Sequence, residues 1–152
     1  MRRAELGTTL LEVMTVAAVA AMIAAAGVPS YKAFADRAKV ATAIADIGAM
    51  SGMLYRWQLA TRKFPATLAE AGLDGRLDPW GHRYRYLKIE GSNTDQVRRD
   101  RNLRPLNTDF DLYSVGPEDG QIPTQLMGAE GRDDIVRANN GQFIGVAQDY
   151  RR

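Results

Sequence analysis

Positions 7–13 read Gly7-Thr8-Thr9-Leu10-Leu11-Glu12-Val13 and open an apolar segment that continues to Pro29. Between Leu10 and Val28 the only ionisable side chain is Glu12. The segment is about as long as the ~20 residues that a helix needs to cross a bilayer core. A carboxylate one turn into such a segment costs roughly 2.5–3.5 kcal/mol on insertion scales. Glu12 is therefore expected to have a partner.

The residues before the segment set its orientation. Met1-Arg2-Arg3-Ala4-Glu5-Leu6 is a short basic leader. By the positive-inside rule, the leader stays in the cytoplasm and the rest of the chain lies outside the inner membrane. The sequence thus predicts a single-pass inner-membrane protein with its C-terminal domain in the periplasm.

The leader and the residues after it resemble the class III signal of type IV prepilins and type II secretion pseudopilins. That family has Gly-Phe-Thr-Leu-Ile-Glu where this chain has Gly7-Thr8-Thr9-Leu10-Leu11-Glu12, so Thr8 replaces the usual Phe. The resemblance implies that a membrane-embedded prepilin peptidase cuts after Gly7. It also implies that the new amino terminus, Thr8, is methylated.

Such processing would give Glu12 its partner. After cleavage, Thr8 carries an α-ammonium group four residues before Glu12. In a bundle of these helices, each carboxylate could lie against the amino terminus of a neighbouring subunit, and a buried charge is tolerated mainly when it is matched. A helix N-terminus also favours a nearby anion by ~0.3–1 kcal/mol. The sequence therefore predicts staggered assembly guided by a buried ion pair.

The helical pattern resumes beyond Pro29. Apolar side chains recur mostly at three- and four-residue steps, at Tyr31, Phe34, Ala38, Ala41, Ile44, Ile47, Leu54 and Trp57. One helix is predicted from about Thr9 to Leu59, with a kink or local unwinding at Pro29. The predicted divisions are a leader (1–7), a transmembrane and assembly half of the helix (8–29), an amphipathic half (30–60) and a globular periplasmic domain (61–152).

Two further stretches resemble major pseudopilins. Asp78-Pro79-Trp80-Gly81 matches the turn that opens their sheet, and Phe110–Gly116 matches one of their strands. Alternation over 83–89 predicts another strand, and an Asn140-Gly141 turn precedes a possible last strand. A short helix is expected at Ala66–Ala71, stopped by Gly72. The predicted fold is α+β and pilin-like, with a long N-terminal helix packed on a small antiparallel sheet.

The resemblance also implies a calcium site. In major pseudopilins the loop after the second strand wraps Ca²⁺, and the matching positions here are the Val115 carbonyl, Asp119, Asp133 and Asp134. Ca²⁺ prefers several carboxylate and carbonyl oxygens. The loop from Gly120 to Arg132 is longer than the family pattern and lacks its Gly-Gly-Glu-Gly run. The alternative is a solvated acidic turn, with Asp133 or Asp134 capping a short helix at Ile135.

The composition and motifs of the chain argue against several classes of site. The 152 residues include no Cys and one His, so neither a disulfide nor a Cys/His metal cluster is expected. No phosphate-binding glycine motif or serine beside an evident base suggests an enzyme. Net charge is +2. The basic run 98–105 lacks the aromatic side chains that would stack on bases, so nucleic acid is not expected as a partner. The run is predicted to be a solvated hairpin or a subunit-contact loop.

These observations predict a pseudopilin that polymerises through its apolar helix into a periplasmic pseudopilus. Its expected partners are further copies of itself, the prepilin peptidase, the inner-membrane assembly platform and minor pseudopilins. Many type IVa pilins close their C-terminal region with a disulfide, which this chain without cysteine cannot form, so the resemblance favours a pseudopilin. The first alternative is a type IV pilin of a surface fibre used in adhesion, motility or DNA uptake. The second is a soluble periplasmic domain released by an ordinary signal peptidase near Ala24-Ala25-Ala26.

Overall fold

A computed structural model describes residues 9–93, 95–100, 104–117 and 131–151, with only the backbone given for 26–30. It divides the chain into two compact units, one ending at Arg37 and the other comprising Ala38–Arg152.

Helix α1 spans Leu10–Thr61 and is 52 residues long. Its bounds confirm the single long helix predicted from the sequence. The backbone stays helical across position 29, so the predicted local unwinding at Pro29 is not observed. The helix ends where Arg62 adopts a left-handed conformation, with φ of 64°, and Pro65 soon afterwards cannot extend it.

The C-terminal half of α1 packs on the globular domain. Ala43, Ile47, Met50 and Leu54 are fully buried and follow one another at steps of four, three and four residues, which places them on one face of the helix. The prediction that Ala38 and Ala41 belong to this face is wrong, because both are exposed. Alanine is small enough to occur on both buried and exposed faces of a helix, so the periodic pattern alone did not show that these two residues lie outside the buried face.

Four described strands form one antiparallel sheet in the order β1-β2-β3-β4. Their bounds are Arg85–Lys88, Phe110–Ser114, Ile135–Ala138 and Phe143–Val146. The predicted α+β architecture is confirmed. So is the last strand, which pairs with β3 after Asn139 and Asn140 take left-handed conformations at the turn.

Strand β2 is buried on both faces of the sheet. Phe110 and Leu112 point toward α1 and join its core, together with Ile135 of β3. Tyr113 belongs to a second apolar cluster on the other face, which Leu106 and Tyr150 help to form. Tyr150, close to the C-terminus, therefore contributes a core side chain.

Asp78 organises the turn that precedes β1. Its Oδ1 accepts hydrogen bonds from the backbone N–H groups of Trp80 (3.0 Å) and His82 (2.8 Å), and its Oδ2 accepts one from the Ser114 hydroxyl. Gly81 adopts a φ of 95°, which favours glycine. The predicted structural turn is thus tied directly to β2.

The segment between α1 and this turn differs from the prediction. Residues 66–71 form bends and turns rather than a helix. The predicted stop is nevertheless present, because Gly72 has a φ of 68° and the Leu73 N–H bonds back to the Leu68 carbonyl at 2.8 Å. The segment closes on itself after one turn, which is too short to continue as a helix.

Candidate assembly surface

The N-terminus of α1 is capped by Thr9. Its Oγ1 accepts a hydrogen bond from the Glu12 N–H at 3.3 Å, and its carbonyl accepts a second from the same N–H at 3.0 Å. Thr9-Leu10-Leu11-Glu12 also has the Thr-x-x-Glu pattern of a capping box, which the sequence-based prediction missed, but only the bond to the Thr9 side chain is formed among the described residues. Among the described residues, the Glu12 carboxylate accepts no hydrogen bond and remains exposed. It is available to a partner outside this chain.

The side chains around Glu12 form an exposed apolar surface. Large apolar residues from Leu10 to Phe34 have exposed fractions of 54–79%, and they comprise Leu10, Leu11, Val13, Met14, Val16, Val19, Met22, Ile23, Tyr31 and Phe34. Covering a single such side chain contributes about 1.5–3 kcal/mol relative to leaving it in water. This surface, called the assembly surface below, therefore needs lipid or other helices around it.

Within the part of the chain whose side chains are described, no helical stretch is both long and apolar enough to cross a membrane.

Several predicted site residues lie outside the described residues. They are Gly7 and Thr8 at the cleavage point and Asp119 of the calcium loop. The side chain of Pro29 is likewise outside the described part.

The remaining calcium positions are only partly brought together. Asp133 approaches the end of β2 so closely that a Cβ on Gly116 would lie 2.8 Å from the Asp133 carbonyl oxygen. Asp134 is 2% exposed and forms an ion pair with Arg98. The alternative of a solvated turn before a short helix is wrong, because Asp134 is buried and Ile135 begins strand β3. Calcium binding itself stays a prediction.

The basic run is only partly solvated: Arg104 and Pro105 are exposed, but residues at its start are not. The alternative that the run contacts another subunit stays a prediction. Arg98 and Asp100 are buried, at 2% and 6% exposure. The Asp100 N–H donates to the Arg104 carbonyl at 2.8 Å, and the Leu106 N–H donates to the Arg98 carbonyl at 2.9 Å. The sequence revealed the basic side chains of the run but not their contacts with carboxylates far along the chain, such as that of Arg98 with Asp134. Arg98 is consequently withdrawn from any external polyanion.

Sequence reasoning missed a second buried cation, Arg137 of β3. Its Nη1 and Nη2 donate to the two carboxylate oxygens of Asp109 at 2.9 and 2.7 Å, and its Nη2 also donates to the Tyr55 hydroxyl at 2.7 Å. The Tyr55 hydroxyl in turn donates to Asp109 at 2.7 Å. Three distant positions thus join α1, the approach to β2, and β3. The local signal of its burial was its position inside the short apolar run Ile135-Val136-Arg137-Ala138.

The charge on Asp109 should make the fold sensitive to acid. Burial raises the pKa of Asp109, but hydrogen bonds from Arg137 and Tyr55 outweigh burial and hold the pKa below its ordinary value. A carboxylate with a lowered folded-state pKa stabilises the fold above its unfolded pKa, and this stabilisation is lost as pH falls through the folded pKa. We expect the difference in melting temperature between wild type and Asp109→Asn to be large near neutral pH and to shrink below about pH 4.

The comparison with Asp109→Asn is needed because other acids act in the opposite direction. Burial raises the pKa of Asp111, so its ionised form costs stability that is recovered on acidification. That contribution is common to both proteins and cancels in the difference. A difference that stayed constant down to pH 2 would contradict the assignment to Asp109.

Comparison with known proteins identifies the family. A Pseudomonas aeruginosa protein named type II secretion system core protein G is 33% identical over 140 residues, which cover 77% of this chain and 87% of that protein. The chain belongs to the type II secretion system core protein G family. Proteins of the same name from Klebsiella pneumoniae and Aeromonas hydrophila are 31% and 28% identical. Those matches cover 85% and 93% of this chain, and 91% and 98% of the respective relatives.

Membership of the core protein G family confirms the predicted type II secretion pseudopilin. The relatives favour neither a surface pilin nor a soluble domain with an ordinary signal peptide, and they are named as secretion-system proteins rather than enzymes. No protein-family profile matches the chain. No solved structure matches it either.

Proposed function

We propose that this chain is the repeating structural subunit of a periplasmic pseudopilus in a type II secretion system, and that it polymerises through the assembly surface of α1. Family membership supports the type of assembly. The observation that carries the proposal is the exposed apolar surface from Leu10 to Phe34, at whose N-terminal end the Glu12 carboxylate has no hydrogen-bond partner among the described residues. Before assembly, the apolar segment would be held in the inner membrane, where lipid covers it.

Leaving the membrane for a filament gains little from the hydrophobic effect, because lipid tails are as apolar as the side chains that they cover. Packing and polar contacts must then favour the subunit contact. Glu12 is the one ionisable group between Leu10 and Val28. Its pairing with the Thr8 α-ammonium of an adjacent subunit would supply both attraction and a fixed axial stagger.

The same proposal requires the leader to be removed by prepilin peptidase. Residues 1–7 would otherwise keep Thr8 in peptide linkage, and no α-ammonium would form beside Glu12. The extraction of the subunit from the membrane is assigned to an inner-membrane assembly platform, and initiation of the filament to minor pseudopilins. These partners follow from family resemblance and are part of the proposal.

The intact mass of the chain purified from its native host tests the processing step. We expect a chain that begins at Thr8 and carries one N-methyl group. The control is the same chain from a strain without prepilin peptidase, which should keep residues 1–7. A mature chain that begins near Gly27, or one that keeps its leader in the native host, would overturn the proposed route to assembly.

A further inference from the structure

The buried carboxylate of Asp134 already has a counter-charge within the chain. Asp134 precedes β3 at a position where family resemblance implied a calcium ligand. In the structure its Oδ2 forms an ion pair with Nη2 of Arg98, and both side chains are at most 3% exposed. We propose that Arg98 replaces a metal ion as the counter-charge of Asp134, and that the folded domain does not need calcium.

Arg98 is held in place by contacts other than the ion pair. Its guanidinium carbon lies 3.9 Å from the centroid of the Tyr113 ring, a cation–π arrangement. Its backbone N–H donates to Oδ2 of Asp111 at 2.9 Å, and its carbonyl accepts from the Leu106 N–H at 2.9 Å. Contacts with strand β2 and with its own hairpin therefore position Arg98 independently of Asp134.

A guanidinium in this position opposes a metal ion. Ca²⁺ bound to the Asp134 carboxylate would lie within a few ångströms of the Arg98 charge, and burial leaves little water to screen the repulsion between them. Nε and Nη1 of Arg98 have no hydrogen-bond partner among the described residues. Asp134 is the described carboxylate that contacts the Arg98 guanidinium directly, and Asp111 is a second carboxylate nearby. Releasing Asp134 to a metal would therefore remove the direct counter-charge of a buried cation, which is costly.

In the described part of the chain, the other predicted donors do not make up for the loss of Asp134. Ca²⁺ takes six to eight oxygens. Across the described residues, no three acidic or histidine side chains are close enough to hold a metal. The described part of the predicted set is then reduced to the Asp133 carboxylate and the Val115 carbonyl.

The ion pair performs the structural task that a metal would perform. Arg98 and Asp134 are 36 positions apart, and their contact joins the hairpin before β2 to the start of β3. Closing a long loop lowers the entropy of the unfolded chain when the link is covalent or metal-bound. An ion pair gives no such constraint on the unfolded chain, but it fixes the same two segments in the folded state. This assignment concerns the domain fold and is independent of filament formation.

Melting of the full-length chain in detergent tests the proposal without any variant. We expect equal melting temperatures in excess EGTA and in excess Ca²⁺, and no saturable heat when Ca²⁺ is titrated into the apo chain, with Mg²⁺ as the ionic-strength control. A melting temperature that rises specifically with Ca²⁺, or a saturable heat of Ca²⁺ binding, would overturn the proposal.

Variants test the role of the cation. Arg98→Met keeps much of the side-chain volume but leaves Asp134 buried and unpaired, so the melting temperature should fall by roughly 10 °C or more. Adding Asp134→Asn to Arg98→Met should recover part of that loss, because position 134 then no longer carries an unmatched charge. Arg99→Met, which removes a more exposed arginine from the same hairpin, is the matched control and should melt within a few degrees of wild type. An Arg98→Met loss no larger than that of Arg99→Met would contradict the assigned role.

Discussion

Glu12→Ala is expected to leave leader cleavage intact and to abolish filament assembly. The side chain removed is exposed in the single chain and takes no part in the hydrogen bonds that cap α1, since Thr9 bonds to the Glu12 backbone. In the proposed filament, its loss leaves the α-ammonium of an adjacent subunit buried without a partner. Breaking a buried pair in this way costs roughly 3–5 kcal/mol, or roughly 150- to 4,000-fold in the affinity of one subunit contact.

The size of the loss on Glu12→Ala distinguishes a buried ion pair from a favourable interaction with the helix dipole alone. If Glu12 served only to favour the helix N-terminus, its loss would cost about 0.3–1 kcal/mol, too little to prevent assembly. Filaments counted by electron microscopy in cells that produce each variant would measure the effect, with immunoblots confirming cleavage.

Three further variants test whether the charge of Glu12 is what assembly requires. Glu12→Gln keeps the shape and loses the charge, so it should fail like Glu12→Ala. Glu12→Asp keeps the charge on a shorter side chain and should assemble partially. Asp36→Ala removes an exposed acid from the amphipathic half of the same helix and is the matched control, expected to assemble normally. Normal filaments from Glu12→Ala would remove the ion-pair hypothesis.

Arg137→Met is expected to lower the free energy of unfolding by roughly 3–5 kcal/mol. The Arg137 side chain is fully buried, and its guanidinium donates to both oxygens of Asp109, to Tyr55 and to the Phe110 carbonyl at 3.0 Å. Methionine fills similar space but leaves Asp109 without its counter-charge. Urea unfolding of the full-length chain in detergent, followed by circular dichroism, measures the loss.

The controls separate charge from geometry. Arg137→Lys keeps the positive charge but loses the bidentate contact with Asp109. It should therefore be less stable than wild type but more stable than Arg137→Met. Tyr55→Phe removes only the hydroxyl supplied by α1, and a hydrogen bond to a charged group contributes roughly 1.5–3 kcal/mol. Wild-type stability for Arg137→Met would show that the buried pair contributes nothing beyond what methionine packing supplies.

Local sequence signals predicted the features that depend on neighbouring residues. The apolar segment up to Pro29 and the three- and four-residue spacing beyond it predicted one helix from about Thr9 to Leu59, and the observed bounds of Leu10–Thr61 agree closely. The alternation at 83–89 and the Asn140-Gly141 turn predicted strands β1 and β4. The prediction of a short helix at 66–71 was wrong because the chain makes a single turn that closes at Gly72. Six residues of local sequence do not distinguish such a turn from the start of a helix.

Charged residues mark the limit of this reasoning. The run around Arg98 had the composition of a solvated loop, and Asp134 that of a metal ligand or helix cap. Each is instead the partner of the other, at a separation of 36 positions. Local composition carries no information about which distant carboxylate meets which guanidinium, because that depends on how the strands are arranged in space.

The sequence by itself determined the long helix, its exposed apolar surface, the position of Glu12 and membership of the pilin-like class, because each depends on the order of residues along a short stretch. Only the tertiary structure decided that Arg98 and Arg137 are buried beside Asp134 and Asp109. The physical reason is that a charge can be buried only where a counter-charge meets it, and the folded sheet alone brings those pairs together.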